Sequence, residues 1–245
     1  MRKTANLLPL CFIKIDSKAF SLCSILSLYK NNNAFINEDG KWLLPYKPAI
    51  YRSLPFFIKR GNKKEESFIC FDESLNCVVD NNQSEEANRI FKKNGEVTKE
   101  FSQFSHFLTA YYGDLELTNQ LVKQIVENDL ITEWSLKVKT KDKGIHEIPN
   151  IYKINEENFL KIPEEKISKL FKSRAFEIIY SQLISMDNIH KVATIQKQIM
   201  LMNEGKKQNE TKKVQKSLRD KVIEKQKKQK KEELDNLVQN LMQED

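Results

Sequence analysis

The chain has 245 residues, of which 40% are hydrophobic and 31% charged, and its formal net charge is +7. This length suits one domain with appendages or two small domains, and a core of this size needs neither a disulfide nor a metal to be stable. Glycine and proline are scarce at six each, which excludes collagen-like and linker-rich chains. A basic chain can bind nucleic acid or an anionic membrane. Here lysine and asparagine are spread along the whole sequence, so a solvated surface is the better interpretation and nucleic acid is not an expected partner.

The N-terminus has basic residues followed by an apolar stretch, and therefore has to be compared with a signal peptide. The stretch at residues 7–15 is interrupted by Pro9 and Lys14, and Asp16 follows it without a small-residue cleavage site. Nowhere does the sequence approach the roughly 20 apolar residues needed to span a bilayer. We therefore expect a cytoplasmic protein, which could reach the cell surface only by an export route without a cleaved signal.

The first third of the sequence predicts antiparallel strands. Short apolar runs at residues 7–15, 20–28 and 34–36 are separated by turn-forming residues, and a turn ending at Gly40 follows. Three prolines then exclude a long helix from residues 42–57, an aromatic-rich stretch that we call the proline–aromatic segment. We expect irregular backbone there, with one short helix starting at Pro48. Residues 67–72 and 77–79 predict two further short strands.

Helical patterns dominate the rest of the sequence. From Lys99 to about Asn128 the apolar residues recur at helical spacing, which predicts an amphipathic helix capped by Thr98 and packed into the domain's own core. A hairpin is predicted at residues 134–139 and 145–154, and helices at residues 158–160, 164–171 and 174–202. The sequence therefore predicts an α+β domain at residues 1–202, with an antiparallel sheet packed against the long helix and the C-terminal helices. Residues 203–245 are predicted to form a charged tail, helical or disordered.

The sequence contains no motif that predicts catalysis, a cofactor or a metal site. Phosphate-binding glycine loops, the GxSxG nucleophile turn and the HExxH zinc motif are all absent. The three histidines are far apart, and the four cysteines include no CxxC pair: Cys11, Cys23, Cys70 and Cys77. We interpret the cysteines as free thiols, most of them within apolar strands; a disulfide would require export to an oxidising compartment. No cofactor is expected.

The proline–aromatic segment, together with the end of the strand at residues 67–72, is the candidate binding surface. Aromatic side chains near an arginine and an acid in irregular backbone are typical of ligand pockets, although a loop that merely packs has the same composition. The candidate ligand-binding residues are Trp42, Tyr46, Arg52, Phe56 and Asp72. Arg52 and Asp72 would form a strong ion pair if they were buried together.

The order of these landmarks resembles the SapC family of bacterial proteins. The family's "dGkW" turn and the "YxPaxxRxxPF" segment after it are similar to residues 39–42 and 46–56 of this chain. Three later parts of this chain are also similar to family landmarks. They are a short strand ending at Asp72, an "lFxxxGe" turn at residues 90–96 and an "hLxSlxN" run at residues 182–188. The resemblance covers about residues 7–195. Family members usually carry a further segment before the strand at residues 8–13, and residues 203–245 lie outside the common pattern.

The resemblance implies an association with the paracrystalline surface layer that protects some bacteria from serum killing, and it supplies no catalytic residues. We therefore expect a non-enzymatic surface-layer-associated protein, structural or accessory, whose partners are surface-layer or envelope proteins. One alternative is a cytoplasmic ligand- or peptide-binding module that uses the proline–aromatic segment. The other is an enzyme with a pocket around Arg52 and Asp72.

Overall fold

The computed structural model describes residues 2–30, 32–62, 66–80, 87–140 and 144–202. The chain forms two compact units, Met1–Ala193 and Thr194–Asp245. In the second unit residues 194–202 are helical, and the predicted tail at residues 203–245 lies outside the described residues. The predicted division of the chain after residue 202 stays a prediction.

The first unit combines antiparallel strands with helices, which confirms the predicted α+β class. Its elements, in chain order, are α1 (Arg2–Ala5), β1 (Leu10–Lys14), β2 (Phe20–Ser24), α2 (Ala49–Ser53), β3 (Phe56–Arg60), β4 (Ser67–Phe71), α3 (Lys99–Glu127), β5 (Ile131–Glu133), β6 (Lys137–Thr140), β7 (Gly144–Glu147), β8 (Ile151–Ile154), α4 (Glu156–Leu160), α5 (Glu164–Ser173) and α6 (Ala175–Ser185). A 3₁₀ turn, Glu73–Leu75, follows β4, and residues 188–193 are again helical.

Four strands form the main sheet in the order β2-β1-β8-β5, and every neighbouring pair is antiparallel. The turn between β1 and β2 is held by Asp16, whose carboxylate accepts hydrogen bonds from the N–H groups of Lys18 and Ala19, both at 2.8 Å. These bonds, first that from Lys18, favour the charged form and lower the pKa of Asp16. The N-terminal hairpin is therefore a well-defined unit, to which β8 is added from far along the chain.

The 29-residue α3 connects two parts of the first unit. Thr98 caps it as predicted, because its hydroxyl accepts a hydrogen bond from the Phe101 N–H at 3.3 Å. Towards its C-terminus α3 packs into the main core, and towards its N-terminus against β3. Leu115, between these two contact regions, is exposed. The core cluster consists of Phe12, Leu121, Val122, Ile125, Leu130, Ile154, Ile162, Leu170, Ala175, Ile178 and Ile179.

Several predicted strands were wrong in extent. Residues 34–36 contribute only an isolated bridge between Ile36 and Trp42, and residues 77–79 form no strand. The predicted strand at residues 145–154 is two strands, because Asn150 adopts a left-handed conformation with φ 59°. β7 pairs with β6 before this residue, and β8 joins the main sheet after it. Local apolar patterns do not contain this change of partner.

The region around Pro48 and Pro55 was predicted only in part. The short helix starting at Pro48 is confirmed as α2, with Pro48 as its N-cap. β3 was not predicted, because Pro55 precedes it and the charged Lys59 and Arg60 end it. β3 pairs with β4 to form a hairpin separate from the main sheet. We call this pair of strands the aromatic hairpin.

Candidate functional site

Trp42 is fixed in place by its own segment. The turn before it depends on Gly40, whose φ of 75° lies in the left-handed region that glycine adopts without strain. The indole N–H of Trp42 donates a hydrogen bond to the Tyr46 carbonyl at 3.0 Å. Its ring centroid lies 5.3 Å from that of Tyr51 and 6.0 Å from that of Phe35. Because its polar atom is already bonded, Trp42 organises the segment and offers a ligand only the apolar surface that remains half-exposed.

Arg52, on α2, lies against two aromatic rings. Its guanidinium carbon is 4.7 Å from the ring centroid of Phe107 and 5.6 Å from that of Tyr46. One of its terminal N–H groups also points to the Tyr46 hydroxyl, at 3.5 Å. The Lys3 ammonium lies 5.8 Å from the same Tyr46 ring. Tyr46 therefore has two cations beside it, both in reach of its electron-rich ring.

Arg52 and Asp72, which would pair strongly if they were buried together, form no ion pair. An Asp72 carboxylate oxygen instead accepts hydrogen bonds from the N–H of Ser74 at 3.0 Å and from its hydroxyl at 2.7 Å, which caps the 3₁₀ turn. Both Arg52 and Asp72 are exposed. Neither Arg52 nor Lys3 makes an ion pair with any residue in the described part of the chain. The cations beside Tyr46 are therefore not neutralised there by a bound carboxylate.

Phe56 is the first residue of β3 and anchors the aromatic hairpin on α3. Its ring centroid lies 5.2 Å from those of both Phe101 and Phe104, in edge-to-face geometry, and 6.3 Å from that of Phe71 on β4. Edge-to-face pairs add about 0.5–1.5 kcal/mol each to the burial of the rings. Phe56 is therefore a packing residue of the hairpin, and its half-buried ring faces α3.

A row of phenylalanines on α3 joins these groups into one structure. The Phe104 ring centroid lies 6.0 Å from that of Phe107, and Phe107 in turn lies beneath Arg52. The structure therefore brings Arg52 and Phe56 to the same row of rings, and Tyr46 is joined to it through Arg52. Asp72 is linked to this group only through its backbone N–H, which bonds the Pro55 carbonyl at 2.9 Å. The role of these residues in binding a ligand stays a prediction.

The aromatic hairpin has an outer side that α3 does not cover. Residues alternate between the two sides of a strand. Phe56 packs on α3 and Arg60 forms an ion pair with Glu116 of α3, so this set of alternate residues faces the helix. Phe57 and its cross-strand neighbours therefore lie on the other side, where Phe57 is 39% and Phe68 56% exposed. Two exposed phenylalanines on a supported hairpin form an apolar surface that another molecule could cover.

The described residues include neither a metal-binding group of side chains nor a helix that could cross a membrane. No three His, Cys, Asp or Glu side chains there come together as a metal-binding group. None of the helices in that part of the chain combines the length and apolar character that crossing a bilayer requires.

Comparison with known proteins identifies the family. The family model for SapC matches residues 1–192. The chain belongs to the SapC family. No curated protein and no solved structure matches it. The SapC match includes the proline–aromatic segment, the aromatic hairpin, α3 and α6.

The last SapC landmark, residues 182–188, connects the C-terminal helices to the start of the chain. The Leu10 N–H donates to the Ser185 hydroxyl oxygen at 2.9 Å, and the Leu10 carbonyl accepts from the Gln182 side-chain amide at 3.2 Å. The Gln182 side-chain oxygen also accepts from the Ile154 N–H at 3.0 Å. Asn188 donates its amide to the Ala5 carbonyl at 2.7 Å. All of these polar side chains are buried, so the SapC landmark acts here as a structural clamp.

Sequence reasoning missed both the clamp and the packing of Arg52 on the Phe107 ring. Gln182, Ser185 and Asn188 were noticed only as part of a resemblance; polar residues within an apolar helix are a signal that they have buried partners. Phe107 precedes Leu108 in the predicted core stripe and was assigned no role, although it repeats the three-residue spacing of Phe101 and Phe104. Nothing in the sequence indicates that the Lys3 side chain lies beside the Tyr46 ring.

Proposed function

We propose that this SapC protein is a non-enzymatic protein associated with the bacterial surface layer, in a structural or an accessory role. Membership of the SapC family across residues 1–192 is the observation that carries the proposal, because the family resemblance implies that association. The partners would be proteins of the surface layer or the envelope. The protein would reach them by export to the cell surface, or act on them from the cytoplasm.

The geometry supports a role in binding another protein. α3 supports the aromatic hairpin from one side, and the other side presents Phe57 and Phe68. Exposed phenylalanines held on an ordered element are typical of the centre of a protein–protein contact, where aromatic residues are enriched. We propose that a surface-layer protein covers this outer side of the hairpin.

A deletion strain tests the proposal. Loss of the gene is expected to lower the amount of surface-layer protein on intact cells and survival in serum, and the full-length gene is expected to restore both. A Phe68→Ser variant is expected to restore less, because it removes an exposed ring from the hairpin. Phe171→Ser is the matched control, since Phe171 on α5 is 70% exposed but lies outside the hairpin. An unchanged surface layer and unchanged serum survival after deletion would refute the proposed role.

Fractionation of cells tests where the protein acts. Protein that is extracted from the surface and cleaved by protease on intact cells would support a structural place in the layer. Protein found in the cytosol and protected from protease would exclude that place and leave the accessory role. The same Phe68→Ser and Phe171→Ser strains show whether the hairpin affects location or only partner binding.

A second candidate function is a binding module for a ligand that carries an anionic group. The observation that favours it is the pair of cations, Arg52 and Lys3, beside Tyr46 with no ion-pair partner among the described residues. A guanidinium fixed against aromatic rings keeps donors free for a carboxylate or phosphate. The thermal midpoint of the full chain is expected to rise with inorganic phosphate at constant ionic strength. Arg52→Ala should abolish that rise, whereas Arg89→Ala, a change at another exposed arginine, should keep it.

A further inference from the structure

Cys11 and Cys23 lie directly opposite each other on β1 and β2. They are partners in the register of this antiparallel pair, which also matches Phe12 with Leu22. Directly opposed residues in an antiparallel pair project to the same side of the sheet. Phe12 belongs to the main core, so Cys11 and Cys23 share the opposite side of the sheet.

The backbone around the pair sets the distance between the two cysteines. The Ile25 N–H donates to the Pro9 carbonyl at 2.9 Å, and the Ile15 N–H donates to the Ala19 carbonyl at 2.8 Å. Hydrogen-bonded pairs alternate along an antiparallel ladder, so Cys11 and Cys23 are also a hydrogen-bonded pair, with Cα atoms about 5.5 Å apart. Disulfides bridge Cα atoms about 4.4–6.8 Å apart. The two strands therefore already hold the cysteines at bridging distance.

The two thiols differ in access to solvent. Cys11 is buried, with 2% of its surface exposed, and Cys23 is partly exposed. Burial, with a smaller contribution from the charge on Cys23, raises the pKa of the Cys11 thiol to about 12. Burial also raises the pKa of Cys23. Because Cys23 is the partly exposed thiol, a reagent in solution meets it first. The raised pKa values keep both groups mostly protonated near neutral pH, which makes their reaction slow.

We propose that Cys11 and Cys23 are a site of oxidation, which closes to a disulfide when the protein meets an oxidising disulfide reagent. Cys23 loses its proton and attacks one sulfur of the reagent, which releases one thiolate and leaves a mixed disulfide on Cys23. Cys11 then loses its proton and attacks the Cys23 sulfur, and the second half of the reagent leaves as a thiolate. In total two cysteine thiols lose two electrons and two protons, and the reagent gains them to become two thiols.

The other cysteines have different surroundings. The Cys70 thiol points to the Phe68 carbonyl at 3.9 Å, and the Cys77 thiol donates to the Leu75 carbonyl at 3.2 Å. Cys70 lies opposite Phe57 on the aromatic hairpin, and Cys77 follows the 3₁₀ turn. Only the pair on β1 and β2 has a thiol as its cross-strand neighbour among the described strands. The proposal rests on this register and is independent of the surface-layer role.

The test uses the reduced full-length protein and oxidised glutathione as the probe. Peptide mapping without reduction is expected to give one cross-linked species, joining the peptides of Cys11 and Cys23, and the intact mass should fall by two hydrogen atoms. The urea midpoint should rise on oxidation and return after dithiothreitol. The double variant Cys70→Ser/Cys77→Ser should form the same link, and Cys23→Ser, at the partly exposed position, should not form it while keeping its circular dichroism.

Three results would overturn the proposal. The first is a stable glutathione adduct on Cys23 with Cys11 still free after unfolding and alkylation. The second is a link between Cys70 and Cys77 in place of the Cys11–Cys23 link. The third is complete recovery of free Cys11 and Cys23 after prolonged incubation. Each would mean that the strands do not let the two sulfur atoms meet.

Discussion

Gln182 is the clearest test of the clamp between α6 and the main sheet. It is fully buried, with 0% exposure, and its side chain bonds the Leu10 carbonyl and the Ile154 N–H. In a Gln182→Leu variant the volume is similar, but both buried backbone groups lose their partner. An unsatisfied buried polar group costs about 1–3 kcal/mol. Burying an apolar side chain in place of an amide offsets about 1–2 kcal/mol. The two groups together cost about 2–6 kcal/mol, so after this offset we expect a loss of about 2–3 kcal/mol in the free energy of unfolding, the middle of the resulting range.

Gln182→Glu adds a pH dependence to the same test. A protonated glutamic acid can donate to Leu10 and accept from Ile154 as the amide does, whereas the ionised form has no proton to donate and is penalised by burial. The pKa of the introduced group is therefore raised in the folded state above its unfolded value of about 4.3. The loss of stability in Gln182→Glu, relative to the wild type, should therefore be small below about pH 4 and should grow as the pH rises.

Urea unfolding of the full chain, followed by circular dichroism across a pH series, measures both effects. Gln120→Leu and Gln120→Glu are the matched controls, because Gln120 is exposed on α3. They should change the free energy of unfolding by less than about 0.5 kcal/mol. The clamp would be refuted by a loss in Gln182→Leu no larger than in Gln120→Leu, or by a deficit in Gln182→Glu that does not vary with pH.

Three further predictions concern Asn188, Phe56 and Asp16. Asn188→Ala removes the bond to the Ala5 carbonyl and should cost about 1–2 kcal/mol, with faster tryptic cleavage near the N-terminus; exposed Asn119→Ala is the control, and equal cleavage would contradict the contact. Phe56→Ala should cost about 2 kcal/mol and should speed hydrogen exchange of the aromatic hairpin more than that of the main sheet. Equal acceleration of hydrogen exchange in the aromatic hairpin and the main sheet would contradict the role of Phe56 as the anchor of the hairpin. The lowered pKa of Asp16 means that its stabilising contribution is complete above about pH 4 and is lost as the pH falls through the folded pKa. The stability difference between the wild type and Asp16→Ala should therefore shrink on acidification, and a constant difference would argue against the turn bonds.

The parts of the fold that sequence reasoning predicted are those specified locally. The long helix was predicted with its Thr98 cap, because capping and apolar periodicity involve residues within a few positions of each other. The short helix after Pro48 was predicted for the same reason. The α+β class followed from the order of these elements along the chain. Membership of the SapC family was predicted from landmark residues and is confirmed by the match to residues 1–192.

The parts that were missed depend on partners distant in sequence. Nothing near Asn150 indicates that the chain leaves one hairpin there and enters the main sheet, because the choice between β6 and β1 as a neighbour is made by packing. Arg52 and Asp72 were expected to pair only if they were buried together, and the sequence does not show that both are exposed. In the structure α3 places the Phe107 ring beneath Arg52, and the Asp72 carboxylate accepts a hydrogen bond from the Ser74 hydroxyl. Side-chain contacts of this kind require the packing of α2 on α3 to be known.

The clamp can form only late in synthesis, because its two ends lie far apart in the chain. Leu10 is separated by 175 residues from Ser185 and by 172 from Gln182, and Ala5 by 183 from Asn188. At ribosomal rates of roughly 5–20 residues per second, α6 is synthesised on the order of ten seconds after the N-terminal hairpin. Only then can α6 bond the backbone of Leu10. Throughout that interval the backbone of Leu10 has only water or another molecule to bond. A chaperone or export factor that recognises a strand edge therefore has access to the nascent chain until α6 leaves the ribosome.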